Sequence, residues 1–139
     1  MMTVGLNVDF LWYPLGDEDF VHCFFSTICH NLENLEWGSR FPCLMNGLYQ
    51  GKLSYANADM ARQELLVARK ELEAFAPSKV VWDIEDLSKQ PPWGDNISPD
   101  ITSLSNYFVT SNGDDLFSVM IEVFDTSQAE RQDILLKRI

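Results

Sequence analysis

The stretch Thr3-Val4-Gly5-Leu6-Asn7-Val8-Asp9-Phe10-Leu11-Trp12 decides the fold class. Val4, Leu6, Val8, Phe10 and Trp12 alternate with Thr3, Gly5, Asn7, Asp9 and Leu11, and a period of two means a strand with one buried face. Pro14 and Gly16 are expected to end it. The next residues change period. Asp17, Glu18 and Asp19 place carboxylates where the positive end of a helix dipole favours them. Val21, Phe24, Ile28, Leu32 and Leu35 then follow at spacings of three and four, one apolar helical stripe closed by Trp37-Gly38.

Further along, Asn46-Gly47 supports a tight primed turn, so two short strands are expected between residues 39 and 53. A helix is expected from about Asn57 to Phe75, burying Ala61, Leu65, Ala68, Leu72 and Phe75, with Pro77 stopping it. Lys79 to Trp82 reads as a short strand. Ser98-Pro99-Asp100 reads as a cap with proline at the first helical position, opening a short helix through Leu104 and Tyr107. Ser111-Asn112-Gly113 is a turn. Asp114 and Asp115 open a last helix that faces Leu116, Phe117, Met120, Ile121 and Phe124 inward, and Ile134 to Ile139 is a closing strand. The order β-α-β-β-α-β-α-α-β predicts an α+β fold: a single domain spanning 1–139, with a mixed β-sheet and helices packed against it.

The 139 residues suffice for a core without staples, since a chain this long buries roughly 68–70% of its unfolded surface. Three cysteines without Cys-x-x-Cys spacing suggest free buried thiols rather than a disulfide framework or a zinc site. No basic, apolar leader and no run of about 18 apolar residues is present, so neither a signal peptide nor a membrane span is expected, and the expected location is the cytoplasm.

The charge is uneven. The net value is −11. Residues 1–39 hold six acids and no Lys or Arg, 40–80 have a net charge of +2, and 81–139 have a net charge of −7. Such a surface repels nucleic acid and anionic lipid and attracts basic proteins. Acidity also serves plain solubility, which leaves an acidic regulatory or scaffold protein as a competing reading.

Catalytic constellations are sparse. His22 and Cys29 share a helix face but sit about 10 Å apart along the axis, too far to share one metal ion. No Gly-x-Ser-x-Gly elbow and no phosphate-binding glycine loop occurs. Asp83-Ile84-Glu85-Asp86 could hold a divalent metal in a small hydrolase, with Asp83 and Glu85 as ligands. Only Lys89 would be at hand for a phosphate, which favours a solvated acidic loop. Expected catalytic residues, metal ligands and cofactors are therefore none.

The loop from Asp83 to Asp100 is long and has a net charge of −4. Loops of that length in compact domains are more often functional than idle. Pro91-Pro92 fixes Trp93 rigidly. Trp93 could cap the core, contact a ligand, or serve as a partner hot spot.

Four segments stand out: Val80-Val81-Trp82-Asp83-Ile84-Glu85-Asp86, Pro91-Pro92-Trp93-Gly94, Asn106-Tyr107-Phe108-Val109-Thr110 and Gly113-Asp114-Asp115-Leu116-Phe117. Arg40-Phe41-Pro42 and Leu48-Tyr49-Gln50-Gly51-Lys52-Leu53 fit the same pattern. Together these segments resemble the bacterial immunity protein 70 family. The resemblance implies a small α+β immunity protein of a polymorphic toxin system, with a cognate toxin as partner and no catalytic residues. A basic toxin would meet the acidic chain quickly. Asp17, Glu18 and Asp19, with Asp83, Glu85, Asp86 and Asp95, are the expected source of the field, and Trp93 the apolar anchor within it.

Overall fold

The structure, a computed structural model, describes residues 3–139. Strand β1 (Thr3–Val8) turns directly into β2 (Leu11–Asp17). The expected single strand is therefore a hairpin. Asp9 takes a φ of 55°, and the Asn7 side-chain amide donates to the carbonyls of Asp9 and Leu11 at 3.1 and 3.0 Å. These bonds close a two-residue turn at Asp9-Phe10, and Phe10 is left 94% exposed. Pro14 and Gly16 lie inside β2 instead of ending the strand. Proline is tolerated there because β2 is an edge strand. The register skips Leu15 between Val4↔Gly16 and Gly5↔Pro14, a bulge that leaves Leu15 buried. Gly5 is required by packing: a Cβ there would stand 2.5 Å from the Trp12 ring.

Helix α1 (Glu18–Leu32) starts at Asp17, whose carboxylate accepts from the Phe20 amide at 2.9 Å. It buries Val21, Phe24, Phe25, Ile28 and Leu32. It ends before Leu35, which is exposed. Asn34 and Leu35 both enter the left-handed region, and the Leu35 amide reaches back to the Cys29 carbonyl at 3.1 Å.

The hairpin expected around Asn46-Gly47 is instead a wide helical turn, Cys43–Gly47, followed by a tight one, Leu48–Gln50. The Glu64 carboxylate accepts from the amides of Cys43 and Leu44, which caps the start of that turn. Only Lys52–Leu53 forms a strand here, β3.

Helix α2 (Ala58–Leu72) buries Ala58, Ala61, Leu65, Ala68 and Leu72, as its period predicts, and packs against α3 (Leu116–Glu130). Phe75 lies beyond the end of α2 and is half-buried. Asp115 caps α3, accepting from the Ser118 amide at 3.0 Å. Strand β4 (Ile134–Arg138) closes the sheet beside β1, pairing Leu6 with Leu136 and Val8 with Ile134.

The α+β class holds, and the two ends of the described chain pair in one sheet. The strand order is β2-β1-β4-β3, and each described pairing is antiparallel, so the sheet is not mixed. The strand expected at Lys79–Trp82 does not form, and β1 to β4 pair only with antiparallel neighbours. Phe24, Phe25, Phe108 and Phe117 form the aromatic centre of the core, ring centroids 5.1 to 5.3 Å apart and edge to face.

Residues 80–114 contain no helix or strand beyond one isolated bridge, Val109 to Asp115. The short helix expected from Ser98 is a closed loop, in which the Asn106 side chain accepts from the amides of Thr102 and Ser103 and donates to the Asp100 carbonyl. The segment is nonetheless built into the molecule. Leu104 and Phe108 are fully buried, the Leu104 amide donates to Phe75 at 3.0 Å, and the Ser111 amide donates to Leu15 at 3.1 Å.

Candidate functional site

The polar side of α1 determines where the acidic loop lies. Thr27 Oγ1 accepts from the Val81 amide at 3.0 Å and Ser26 Oγ from the Ile84 amide at 3.1 Å. Asn31 donates to the Lys79 carbonyl at 3.0 Å. These side chains occupy the backbone groups a neighbouring strand would have used, which is why Val80–Trp82 is not a strand.

His22 makes the next tie. Its Nε2 stands 3.1 Å from Asp83 Oδ1, and its Nδ1 stands 2.7 Å from the Tyr49 hydroxyl. A carboxylate only accepts, so His22 Nε2 is the donor to Asp83. The Glu85 amide donates to Asp83 Oδ1 at 2.9 Å. That amide first, and His22 second, hold the Asp83 carboxyl below the usual range. Burial pushes the Tyr49 phenol up. The Arg138 guanidinium pulls it back, while Glu18, Glu85 and Asp83 add to the rise. One tyrosine hydroxyl thus lies in the field of carboxylates from both acidic segments.

The expected site residues divide into groups. Glu18, Asp83 and Glu85 converge around Tyr49 and His22. Glu18 also accepts from Arg138 at 2.6 Å, and Lys89 lies 3.7 Å from Asp83. Asp17 is committed to its helix cap and Asp19 is exposed. Asp86 is exposed and turns back on Ser88, whose hydroxyl and amide draw its carboxyl down. Trp93 and Asp95 lie apart from this group, beside Tyr107.

Trp93 does not project as a knob. Its indole nitrogen donates to the Tyr107 hydroxyl at 2.7 Å, and Trp82 packs edge-on against it with centroids 5.5 Å apart. It forms one wall of an open cavity of about 260 Å³, lined also by Phe20, Asn96, Ile97, Ile101, Tyr107 and Val109. Asp95 adds to the rise of the Tyr107 phenol, which burial chiefly causes and the Trp93 bond opposes.

Tyr49 reads in the sequence as a hairpin residue, and nothing local marks the pairing of His22 with Asp83. The three cysteines are free. Cys23 and Cys29 are buried, burial pushes the Cys23 thiol up to about 12, and burial chiefly raises Cys43 to about 11. Among the described residues, no three His, Cys, Asp or Glu side chains stand where they could jointly hold a metal ion, Asp83 and Glu85 included. No described helix is long and apolar enough to cross a membrane.

Comparison with known proteins places the chain. The family model described as Immunity protein 70 matches residues 6–136, nearly the whole length, and the chain belongs to that family. No curated protein and no solved structure matches it.

Proposed function

We propose, from this membership, that the chain binds and neutralises the cognate toxin of a bacterial polymorphic toxin system, acting in the cytoplasm of the cell that makes both. The family match over residues 6–136 carries the reading. The charge distribution supports a basic toxin as partner. Residues 1–39 and 90–130 contain no Lys or Arg. Among the described residues, seven of the ten Lys and Arg side chains already sit within 4 Å of a carboxylate. The remaining field is negative and steers a basic protein toward the surface. In this reading Asp17, Glu18, Asp19, Asp83, Glu85, Asp86 and Asp95 supply the field, and Trp93 the apolar contact.

Immunity proteins of such systems are encoded next to the toxin they neutralise, so co-expression with the neighbouring gene tests the class: this chain should restore growth that the neighbour alone abolishes. Failure to restore growth, with both proteins made, overturns the reading. Exchanging Glu85, Asp86 and Asp95 for Lys should slow association about tenfold or more at low salt. All three are exposed, so the fold should survive. Association at the wild-type rate would remove the acidic surface from the mechanism.

A further inference from the structure

The cavity beside Trp93 belongs to neither the core nor the Tyr49 cluster. Its walls are set before any partner arrives. Trp93 is held by Tyr107 at 2.7 Å and by Trp82. Phe20 packs on Phe108 with centroids 6.1 Å apart. Ile97, Ile101 and Val109 complete an apolar lining. A preformed apolar recess is the element that receives an anchoring side chain at a protein interface, because little ordering cost remains to be met.

The surroundings of the recess state the charge of its occupant. All of its lining comes from the two stretches of chain that contain no Lys or Arg, 1–39 and 90–130. Asp19, Asp95 and Asp100 are exposed, and each is the chain neighbour of a lining residue: Phe20, Asn96 and Ile101. Val109 is bridged through its backbone to Asp115, and the cation at that edge, Arg69, is held by the Asp115 carboxylate at 3.5 Å.

We infer that this recess is the receptor for one apolar side chain of the toxin, presented between Lys or Arg residues that meet Asp19, Asp95 and Asp100. The inference rests on the toxin-binding reading and adds which surface is used and what the partner must offer. It also reverses the role of Trp93, which is a wall that receives and not a plug that inserts. Apolar insertion governs how long the complex lasts, and the aspartate rim governs how fast it forms.

The test measures association and dissociation rates for the purified product of the neighbouring gene, catalytically inactivated, on the immobilised full chain. Val109 is 45% exposed, so Val109→Arg leaves the core intact while placing a cation in the recess. It should raise the dissociation rate about tenfold or more. Val67→Arg on α2, equally exposed at 45%, should leave both rates unchanged. Val109→Trp fills the recess without a charge and should also speed dissociation, which covers the case where Val109→Arg is poorly folded. Asp95→Asn with Asp100→Asn should slow association and leave dissociation alone. A wild-type complex that tolerates both Val109 variants overturns the inference and leaves the toxin reading standing. No complex with the wild-type chain removes the toxin reading, and the inference with it.

Discussion

Glu33 is 2% exposed, and both of its carboxyl oxygens accept hydrogen bonds. Oε1 accepts from the Gly38 amide, and Oε2 from the amides of Arg40 and Phe41, each at 3.0 Å. The residue holds the chain as it leaves α1 and turns toward the helical turn at Cys43. Arg40 completes the junction, donating to the Leu32 carbonyl and pairing with Glu71. Nothing local announces this role, since Glu33 follows the last buried residue of α1 and reads as an ordinary polar end. Glu33→Gln keeps the shape but turns an amide NH₂ toward backbone N–H groups. A buried donor left without an acceptor costs about 1–3 kcal/mol, and a loss in that range is expected for this variant. Urea unfolding measures it. An unchanged midpoint would mean the turn holds itself.

At the scale of elements, the tether between α1 and the acidic loop has two ends of different chemistry. Thr27 and Ser26 hold Val81 and Ile84 through hydroxyls that do not titrate in the acid range. Asp83 holds the Glu85 amide and His22 through a carboxylate whose folded value lies below its usual one. A group lowered on folding contributes stability that is present above its unfolded value and lost as pH falls through the folded one. Acid should therefore loosen the Asp83 end first. Amide exchange protection at Glu85 should fall as the carboxyl protonates, while protection at Val81 persists. Asp83→Asn should abolish the pH dependence at Glu85. Equal loss at both amides would show that the segment releases as one unit.

These elements also show what the sequence made legible. The stripes of α2 and α3 and the helix start at Asp17-Glu18-Asp19 depend on neighbours within a few residues, so period and composition reveal them. The turn at Asp9-Phe10 was hidden because apolar residues keep alternating through Phe10 and Trp12 although the chain has already reversed. The missing strand at Val80 was hidden for another reason. Its partner is not a strand but side chains of α1, and Ser26 and Thr27 lie in a run whose spacing reads as core. Of the expected site residues, Glu18, Asp83 and Glu85 could be picked out as acidic segments. Their meeting at Tyr49 could not, because it requires the chain to close over 61 residues between His22 and Asp83.

The whole molecule carries a net charge of −11, and two effects of salt on it point in opposite directions. Salt weakens ion pairs. The seven Lys and Arg pairs are all partly exposed, and such pairs contribute about 0–1 kcal/mol each. Salt also screens repulsion among the excess carboxylates, which opposes the compact state. The acids outnumber the bases by 21 to 10, and the two base-free stretches fold against one another through Phe20, Phe24 and Phe108, so repulsion should dominate. The melting temperature should therefore rise from low salt to about 0.5 M sodium chloride, where the screening length falls to a few ångströms. The same salt should slow association with a basic toxin. Scanning calorimetry and rate measurements on one set of samples separate the cases. A rise in stability with a fall in association rate fits an acidic surface kept for a partner. A fall in stability would mean that the ion pairs outweigh the repulsion, and that the carboxylates serve the fold.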